Sequence, residues 1–281
     1  MTRYLVAGAG GMLGHDLRDA LAGREATFTT RAELDVTDAA AALEAAAGHD
    51  VVINATAYTK VDDAESDEDQ AYLVNATAAE NLAAAAAATG ARFVQVSTDY
   101  VFDGVATTPY AEDASIAPVS AYGRTKAAGE RLAAAANPRT LIVRTAWLYG
   151  ANGASLPRTL LKAAASRDTF TVVDDQHGQP TYTKDLAERI VALLDSGAES
   201  GIFHGTNSGE TTWFGFAREA FRLSGLDPER IQPTTSADFV RPAPRPAYSV
   251  LGHDAWASIG LAPMRDWREA LAEAVSAGAF K

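Results

Sequence analysis

A tyrosine–lysine pair and a glycine-rich loop are the parts of this 281-residue chain whose residue types and spacing suit chemistry. Tyr122 and Lys126 stand four apart in Tyr122-Gly123-Arg124-Thr125-Lys126, so on a helix they share one face and the ammonium sits beside the phenol. A free phenol titrates near ~10, and a neighbouring cation favours the phenolate, which moves a tyrosine toward acid–base work. Such a pair means little alone. It gains weight from Ser97-Thr98-Asp99 at the end of an upstream apolar run, and from Gly8-Ala9-Gly10-Gly11-Met12-Leu13-Gly14 near the start. That loop fails G-x-G-x-x-G, because position 13 is Leu13, and fits G-x-x-G-x-x-G through Gly8, Gly11 and Gly14. Glycines there permit a tight turn and let a pyrophosphate approach the free N–H groups of a helix N-terminus. The expected chemistry is proton transfer beside a bound dinucleotide; an ordinary glycine-rich turn is the plain alternative.

Which dinucleotide is read from Thr27-Phe28-Thr29-Thr30-Arg31, at the end of the second apolar run. NAD sites place Asp or Glu there to hold the ribose hydroxyls. Arg31, with Thr30 beside it, suits a 2′-phosphate instead, so NADPH is expected first and NADH second; the alternative is a solvent-facing arginine. Asp35 and Val36 are placed to flank the adenine, with Thr37 or Asp38 capping the next helix.

These residues need a scaffold. Short apolar runs at 4–7, 26–29, 51–55, 93–97 and 141–144 alternate with helical stretches at 13–22, 38–47, 75–89 and 122–136. That βαβα rhythm predicts an α/β fold: a Rossmann-like, doubly wound parallel sheet with helices on both faces. Runs such as Val51-Val52-Ile53, apolar throughout, fit strands covered on both sides. The alanines from Ala83 to Ala88 read as a plain helix stopped by Thr89-Gly90. Further strands are expected at 172–173 and 202–204, and helices at 183–196, 213–224, 228–232 and 267–277, with a Pro-rich stretch at 241–246. The division predicted is a dinucleotide-binding domain from 1–148 plus about 172–206, and a smaller C-terminal substrate-binding lobe from about 149–171 plus 207–281.

Composition narrows the partners. With 24 basic and 36 acidic side chains the net charge is −12, which argues against a nucleic-acid or membrane surface. The absence of cysteine excludes disulfides, thiolate metal sites and a cysteine nucleophile. The five histidines are scattered without metal-ligand spacing. No apolar run approaches the ~20 residues of a membrane span. The first residues run straight into a strand-like segment with no signal peptide in view, so a cytoplasmic protein is expected; its oligomeric state, monomer or homodimer, does not follow from sequence.

Longer stretches carry a family resemblance. Asn54-Ala55-Thr56-Ala57-Tyr58-Thr59-Lys60-Val61-Asp62-Asp63-Ala64-Glu65, Ser97-Thr98-Asp99-Tyr100-Val101-Phe102-Asp103-Gly104, Arg144-Thr145-Ala146-Trp147-Leu148-Tyr149-Gly150, Asp175-Gln176-His177-Gly178-Gln179-Pro180-Thr181 and Arg245-Pro246-Ala247-Tyr248-Ser249 resemble the dTDP-4-dehydrorhamnose reductase family of extended short-chain dehydrogenases/reductases. The resemblance implies hydride delivery from NADPH to the C4 ketone of dTDP-4-dehydro-β-L-rhamnose. It implies Tyr122 as proton donor, Lys126 on the nicotinamide ribose and lowering the Tyr122 pKa, and Thr98 bonded to the carbonyl. It also implies Met12, Leu13, Ala55, Ala57, Tyr58 and Ser97 along the cofactor. Asp99, Phe102, Gln176, Pro180 and Arg245 would line the substrate, with Trp147 against the sugar.

The rivals are chemical neighbours. Related 4,6-dehydratases carry Asp-Glu after the threonine; here Tyr100 follows Thr98-Asp99, so the eliminating carboxylate is missing. A 4-ketoreductase for another dTDP-deoxysugar fits the same residues, as does a catalytically silent NADP-binding subunit, since the methionine adenosyltransferase β-subunit resembles this family. Tyr248 stands where many members have a smaller polar residue. Arg241 and Arg245 either clamp a diphosphate or merely rim the lobe. The acidic run Asp62, Asp63, Glu65, Asp67, Glu68, Asp69 reads as a solvated helix face rather than a metal site. Some members of the family bind Mg²⁺, for which no ligands are assigned. His177 reads as a loop histidine, and Trp213, Trp256 and Trp267 as core.

Overall fold

The computed structural model describes residues 1–281. The chain opens with β1 (Arg3–Ala7), α1 (Met12–Ala20), β2 (Glu25–Thr29), α2 (Ala39–Ala46), β3 (Val51–Asn54), α3 (Glu68–Tyr72), α4 (Ala78–Thr89), β4 (Arg92–Thr98), α5 (Ala121–Ala136) and β5 (Thr140–Thr145). These five strands, joined by a sixth, form one parallel sheet in the order 2-1-3-4-5 with the late strand beyond β5. The chain reverses its winding direction between β1 and β3, the position at which open α/β sheets hold ligands.

Successive strand residues point to opposite faces, and the sequence supplies an apolar residue for each. Tyr4 and Val6 of β1 pack with Val51, Ile53, Val94 and Val96 against Leu13 and Leu17 of α1 and Leu21 just after it. Leu5 and Ala7, on the other face, pack with Val52 and Phe93 against Ala42, Ala46, Leu82, Ala83 and Ala86 of α2 and α4. The alanine tract is therefore a contact surface that lets two helices and a sheet approach closely. Gly90, at φ 75°, ends α4 as its Thr89-Gly90 signal predicts.

The helix expected from 75 begins earlier and contains a defect. Leu73–Thr77 form a π-turn between α3 and α4. Its Asn75 is buried, accepting from the Tyr58 N–H at 2.8 Å and donating to Thr125 Oγ1 at 3.0 Å.

The later elements are β6 (Leu148–Tyr149), α6 (Leu156–Ala163), β7 (Phe170–Val173), β8 (His177–Gly178), β9 (Thr181–Tyr182), α7 (Thr183–Asp195), β10 (Gly201–His204), β11 (Asn207–Ser208), β12 (Thr211–Thr212), α8 (Trp213–Leu223), β13 (Ile231–Thr234), α9 (Ala255–Ser258), β14 (Met264–Asp266) and α10 (Trp267–Ser276). Two differences from expectation stand out. The chain does not rejoin the large sheet near 172: β7 pairs with β13, β8 with β12 and β6 with β9, and only α7 and β10 return to it. The helix expected at 228–232 is a single 3₁₀ turn, Pro228–Arg230, after which Ile231 enters β13. Beyond the sheet, two small cores form around Tyr149, Phe216 and Trp267, and around Phe170, Phe221 and Ile231. No helix is long and apolar enough to cross a membrane.

Candidate active site

The glycine loop is shaped by close approach. Gly8 has φ +94°, and a Cβ there would lie 2.8 Å from the Ala55 carbonyl. A Cβ on Gly14 would come within 2.3 Å of the Gly8 oxygen, so α1 sits directly on the loop that precedes it. Gly11 is the N-cap of α1 and no side chain caps its first turn, which leaves backbone N–H groups and the positive end of the helix dipole for an anion. Beside this loop lies a cavity of about 720 Å³, lined by Gly8, Gly10 and Gly11, by Thr29, Thr30, Arg31, Asp35 and Val36, and by Ala55, Thr56 and Ala57. The turn after β3 is set by Asn54, whose Oδ1 accepts from both the N–H and the hydroxyl of Thr56. Half of the expected cofactor residues, Gly8, Gly11, Arg31, Asp35, Val36, Ala55 and Ala57, thus line one cavity, while Gly14, Tyr58, Ser97, Tyr122 and Lys126 are not on its wall. Leu13 is not there either, being packed in the core, and the Met12 side chain turns toward Gly153.

Tyr122, Lys126 and Thr98 are brought together where β4 meets α5. Ser120 caps α5 by accepting from the Gly123 N–H at 3.1 Å, and Glu65 accepts from the Ala121 N–H at 2.8 Å. A Cβ on Gly123 would lie 2.2 Å from the Tyr100 carbonyl oxygen, so this glycine lets the helix start rest on the end of β4. Tyr122 meets Tyr100 edge-on at 5.5 Å and shares with Tyr58 a small cluster around Ala64, Ala71 and Ala121. Lys126 is 3% exposed and donates from Nζ to the Val96 carbonyl at 2.7 Å. Ser97 is buried at the same strand end.

The electrostatics differ from what spacing predicts. Burial pushes the Tyr122 phenol up to about 12, only partly offset by its hydrogen bond with Thr98, and the Asp99 carboxylate raises it further. Lys126 is not among the groups that lower it, and its ammonium is bonded to the strand carbonyl of Val96. Burial lowers Lys126 itself to about 8, against the opposing pull of Glu130. Asp99 is buried too and is raised to about 6, with the Ser249 and Thr98 hydroxyls offsetting part of the rise. The Thr98 hydroxyl donates to Asp99 Oδ1 at 3.0 Å.

A second cavity of about 470 Å³ is lined by Tyr100, Leu156, Val172, Gln176, Trp213, Phe239, Arg241 and Arg245. Gln176 donates to Ser236 at 2.8 Å. Trp147 stands at φ +46°, the one non-glycine residue with positive φ, and stacks on Trp213 with ring centres 3.7 Å apart. A Cβ at Gly178 would lie 2.6 Å from the Trp147 ring, so this glycine makes room for the indole. A non-glycine backbone in this region costs about 1–3 kcal/mol and persists only where the packing around it holds it there. Trp213, read above as core, is a half-buried wall of this cavity; nothing in its helical context distinguishes it from Trp256 and Trp267, which are buried. Of the seven expected substrate residues Gln176 and Arg245 line this cavity, while Thr98, Asp99, Trp147, Phe102 and Pro180 are not on its wall. Phe102 is 2% exposed, stacked on Tyr110 and covered by the Arg144 guanidinium, and Pro180 is buried outside the cavity lining. Each is held by the packing of its own loop.

The acidic run is a solvated face only in part: Asp63, Asp67 and Asp69 are exposed, and the other three are engaged. Asp62 pairs with Arg241 and Arg245, Glu65 holds the start of α5, and Glu68 makes a two-pronged bond to Arg124 of that helix. No three or more His, Cys, Asp or Glu side chains gather as metal ligands, so the Mg²⁺ expectation finds no site. His177 is exposed and its backbone bridges to Tyr248, whose hydroxyl donates to Glu210.

The RmlD substrate binding domain family matches residues 2–279. A probable dTDP-4,6-dihydroxy-2-methyloxan-3-one 4-ketoreductase from Streptomyces antibioticus is 51% identical, over 97% of this chain and 94% of its own. A dTDP-4-dehydrorhamnose reductase from Streptomyces griseus is 50% identical, over 98% of this chain and 93% of its own. The crystal structure of dTDP-4-dehydrorhamnose reductase from Bacillus anthracis in complex with NADP superposes with a TM-score of 0.95 at 34% identity, covering 99% of this chain and all of that one. A profile match across almost the whole chain, on a sheet and glycine loop of this form, means that the protein belongs to the RmlD substrate binding domain family.

Proposed function

We propose that this protein reduces the C4 ketone of dTDP-4-dehydro-β-L-rhamnose to dTDP-β-L-rhamnose with NADPH. The observation that carries the reading is the Thr98–Tyr122–Lys126 group, whose neighbour Tyr100 also lines a cavity holding two arginines. The relatives named above, one of them solved with NADP, support it. In this reading residues 1–148 with 183–206 take the cofactor, and 149–182 with 207–281 take the sugar nucleotide. The compartment is the cytoplasm, where NADPH and nucleotide sugars are made, and the enzyme acts as a monomer or homodimer.

The glycine cradle fits a pyrophosphate, since a Cβ at Gly8 or Gly14 would fill it. Arg31 and Thr30, on the wall of the same cavity, suit a 2′-phosphate. NADPH supplies the hydride. Tyr122, kept protonated at neutral pH by its burial, holds the proton that the nascent alkoxide takes. An alkoxide is far more basic than even this phenolate, so the transfer runs downhill. The Thr98 hydroxyl turns from Asp99 to donate its hydrogen bond to the carbonyl oxygen as charge develops there, and Lys126 places a cation nearby. Trp147 and Trp213 offer apolar faces to the deoxysugar.

The test is NADPH oxidation followed by absorbance, with dTDP-4-dehydrorhamnose generated in situ, NADH in parallel and the sugar product identified. Turnover to dTDP-L-rhamnose is expected, faster with NADPH. Tight NADPH binding without oxidation would overturn the reading. A second reading, reduction of a different dTDP-4-keto-deoxysugar, is favoured by the likeness to the Streptomyces antibioticus 4-ketoreductase and is separated by offering that class of ketone.

A further inference from the structure

The Asp62 carboxylate sits between two cations. Its Oδ1 accepts from Arg245 Nη2 at 2.9 Å and from the Ala243 N–H at 3.3 Å, and its Oδ2 lies 3.2 Å from Arg241 Nη2. Neither arginine has another acidic partner. Two guanidiniums converging on one carboxylate repel each other when it is removed, so Asp62 fixes both their spacing and their direction. Arg245 spends Nη1 on the Ala243 carbonyl, which leaves its Nε uncommitted, together with Nε and Nη1 of Arg241. Both side chains line the second cavity beside Tyr100, and Tyr100 touches Tyr122. Two cations against one anion leave a local surplus of one positive charge in a chain whose net charge is −12. Surplus charge with several converging N–H donors, one aromatic ring away from the proton donor, is what a diphosphate linked to a reacting sugar requires.

Asp62 also belongs to a different part of the chain from its partners. It follows the turn after β3 that lines the first cavity, whereas Arg241 and Arg245 lie in the stretch after β13. We propose that Asp62 is a positioning residue for the nucleoside diphosphate: it holds the Arg241 and Arg245 guanidiniums side by side, so that their remaining N–H groups grip the two phosphoryl groups. This rests on the nucleotide-sugar reading above.

The experiment is calorimetric titration of dTDP into the full chain and into Asp62→Asn and Asp62→Glu, with NADPH titrated into each and kcat and KM measured on the keto-sugar nucleotide. Asp62→Asn keeps the shape and loses the charge. It is expected to weaken dTDP by about tenfold and raise KM to match, with kcat and NADPH affinity within about twofold of the parent and partial recovery in Asp62→Glu. Unchanged or tighter dTDP binding by Asp62→Asn would overturn the proposal, since the carboxylate would then be a bystander or a competitor. Loss of NADPH affinity along with dTDP would overturn it in favour of a merely structural tie. A parent protein that binds no dTDP sinks the nucleotide reading, and the proposal with it.

Discussion

The cavity beside the glycine loop is walled by backbone and small side chains from successive βα turns, whereas the cavity around Trp213 is walled by large side chains from segments far apart in sequence. In the function proposed above, the first would recognise its ligand through N–H groups and the absence of Cβ atoms. The second would do so through an indole, two guanidiniums and an amide whose positions depend on how the C-terminal elements pack. A site of the first kind tolerates little change at any glycine. A site of the second kind can alter its specificity by exchanging one wall residue, which suits a scaffold whose relatives differ in the sugar named for them.

This division can be broken or sharpened by substitution. Tyr122→Phe removes the proton donor shared by both sides and should lower kcat by about 10²–10⁴-fold, with NADPH and dTDP still bound; full turnover by a folded variant would refute the mechanism. Gly8→Ala should weaken NADPH by at least about tenfold in a fluorescence titration, because φ +94° strains an alanine and its Cβ meets the Ala55 carbonyl. Binding of dTDP to that variant should be untouched. Trp213→Ala should act in the mirror sense, raising KM for the sugar nucleotide by about fivefold through loss of the stacked indole pair while NADPH affinity stays constant. A fall in NADPH affinity there would show that the two regions are not independent.

The smallest expected effect concerns stability. Burial and the Arg144 charge hold His204 down at about 3, and burial holds His253 at about 4, both below the ordinary 6.5. Between those values the unfolded chain binds protons that the folded chain refuses, so stability present above pH 6.5 falls as the pH drops toward 4. Asp99, raised to about 6, works in the opposite direction, as do Asp16 and Glu112, which burial also raises, but carboxylates held low by hydrogen bonds from cations, among them Glu68, Asp195 and Glu273, add to the histidines' side. The urea midpoint should therefore decline from pH 7 to pH 4.5, and His204→Gln should flatten the decline. An unchanged slope would count against His204 as its source.

What could be read from sequence follows the same line. The strands of the large sheet, the glycine turn and the Tyr122–Lys126 face depend on local spacing, and each lies within a residue or two of its expected place. Arg31 and Val36 line the first cavity because strand ends and the turns after them are local features too. The Asp62 clasp, the pairing of β7 with β13 and the exposure of Trp213 arise between distant segments, and no periodicity encodes them. Phe102 is buried for a related reason: a motif places a residue in a loop but does not say which way its ring packs. The phenol of Tyr122 went the other way from expectation because helical spacing sets which face a lysine shares, not where its four-carbon stem ends.

The π-turn at Leu73–Thr77 carries a consequence for how this helix tolerates length changes. One extra residue in a turn rotates everything after it by about 100° relative to everything before. Ahead of the turn, Glu68 reaches Arg124 of α5; behind it, Leu82, Ala83 and Ala86 face the sheet. The turn thus acts as a phase shifter between two halves of one rod, each aligned to its own neighbour. Removing a single residue there would straighten the rod and turn the alanine stripe away from the strands. A one-residue deletion at this spot should be far harder to accommodate than the same deletion in the exposed loop between α7 and β10.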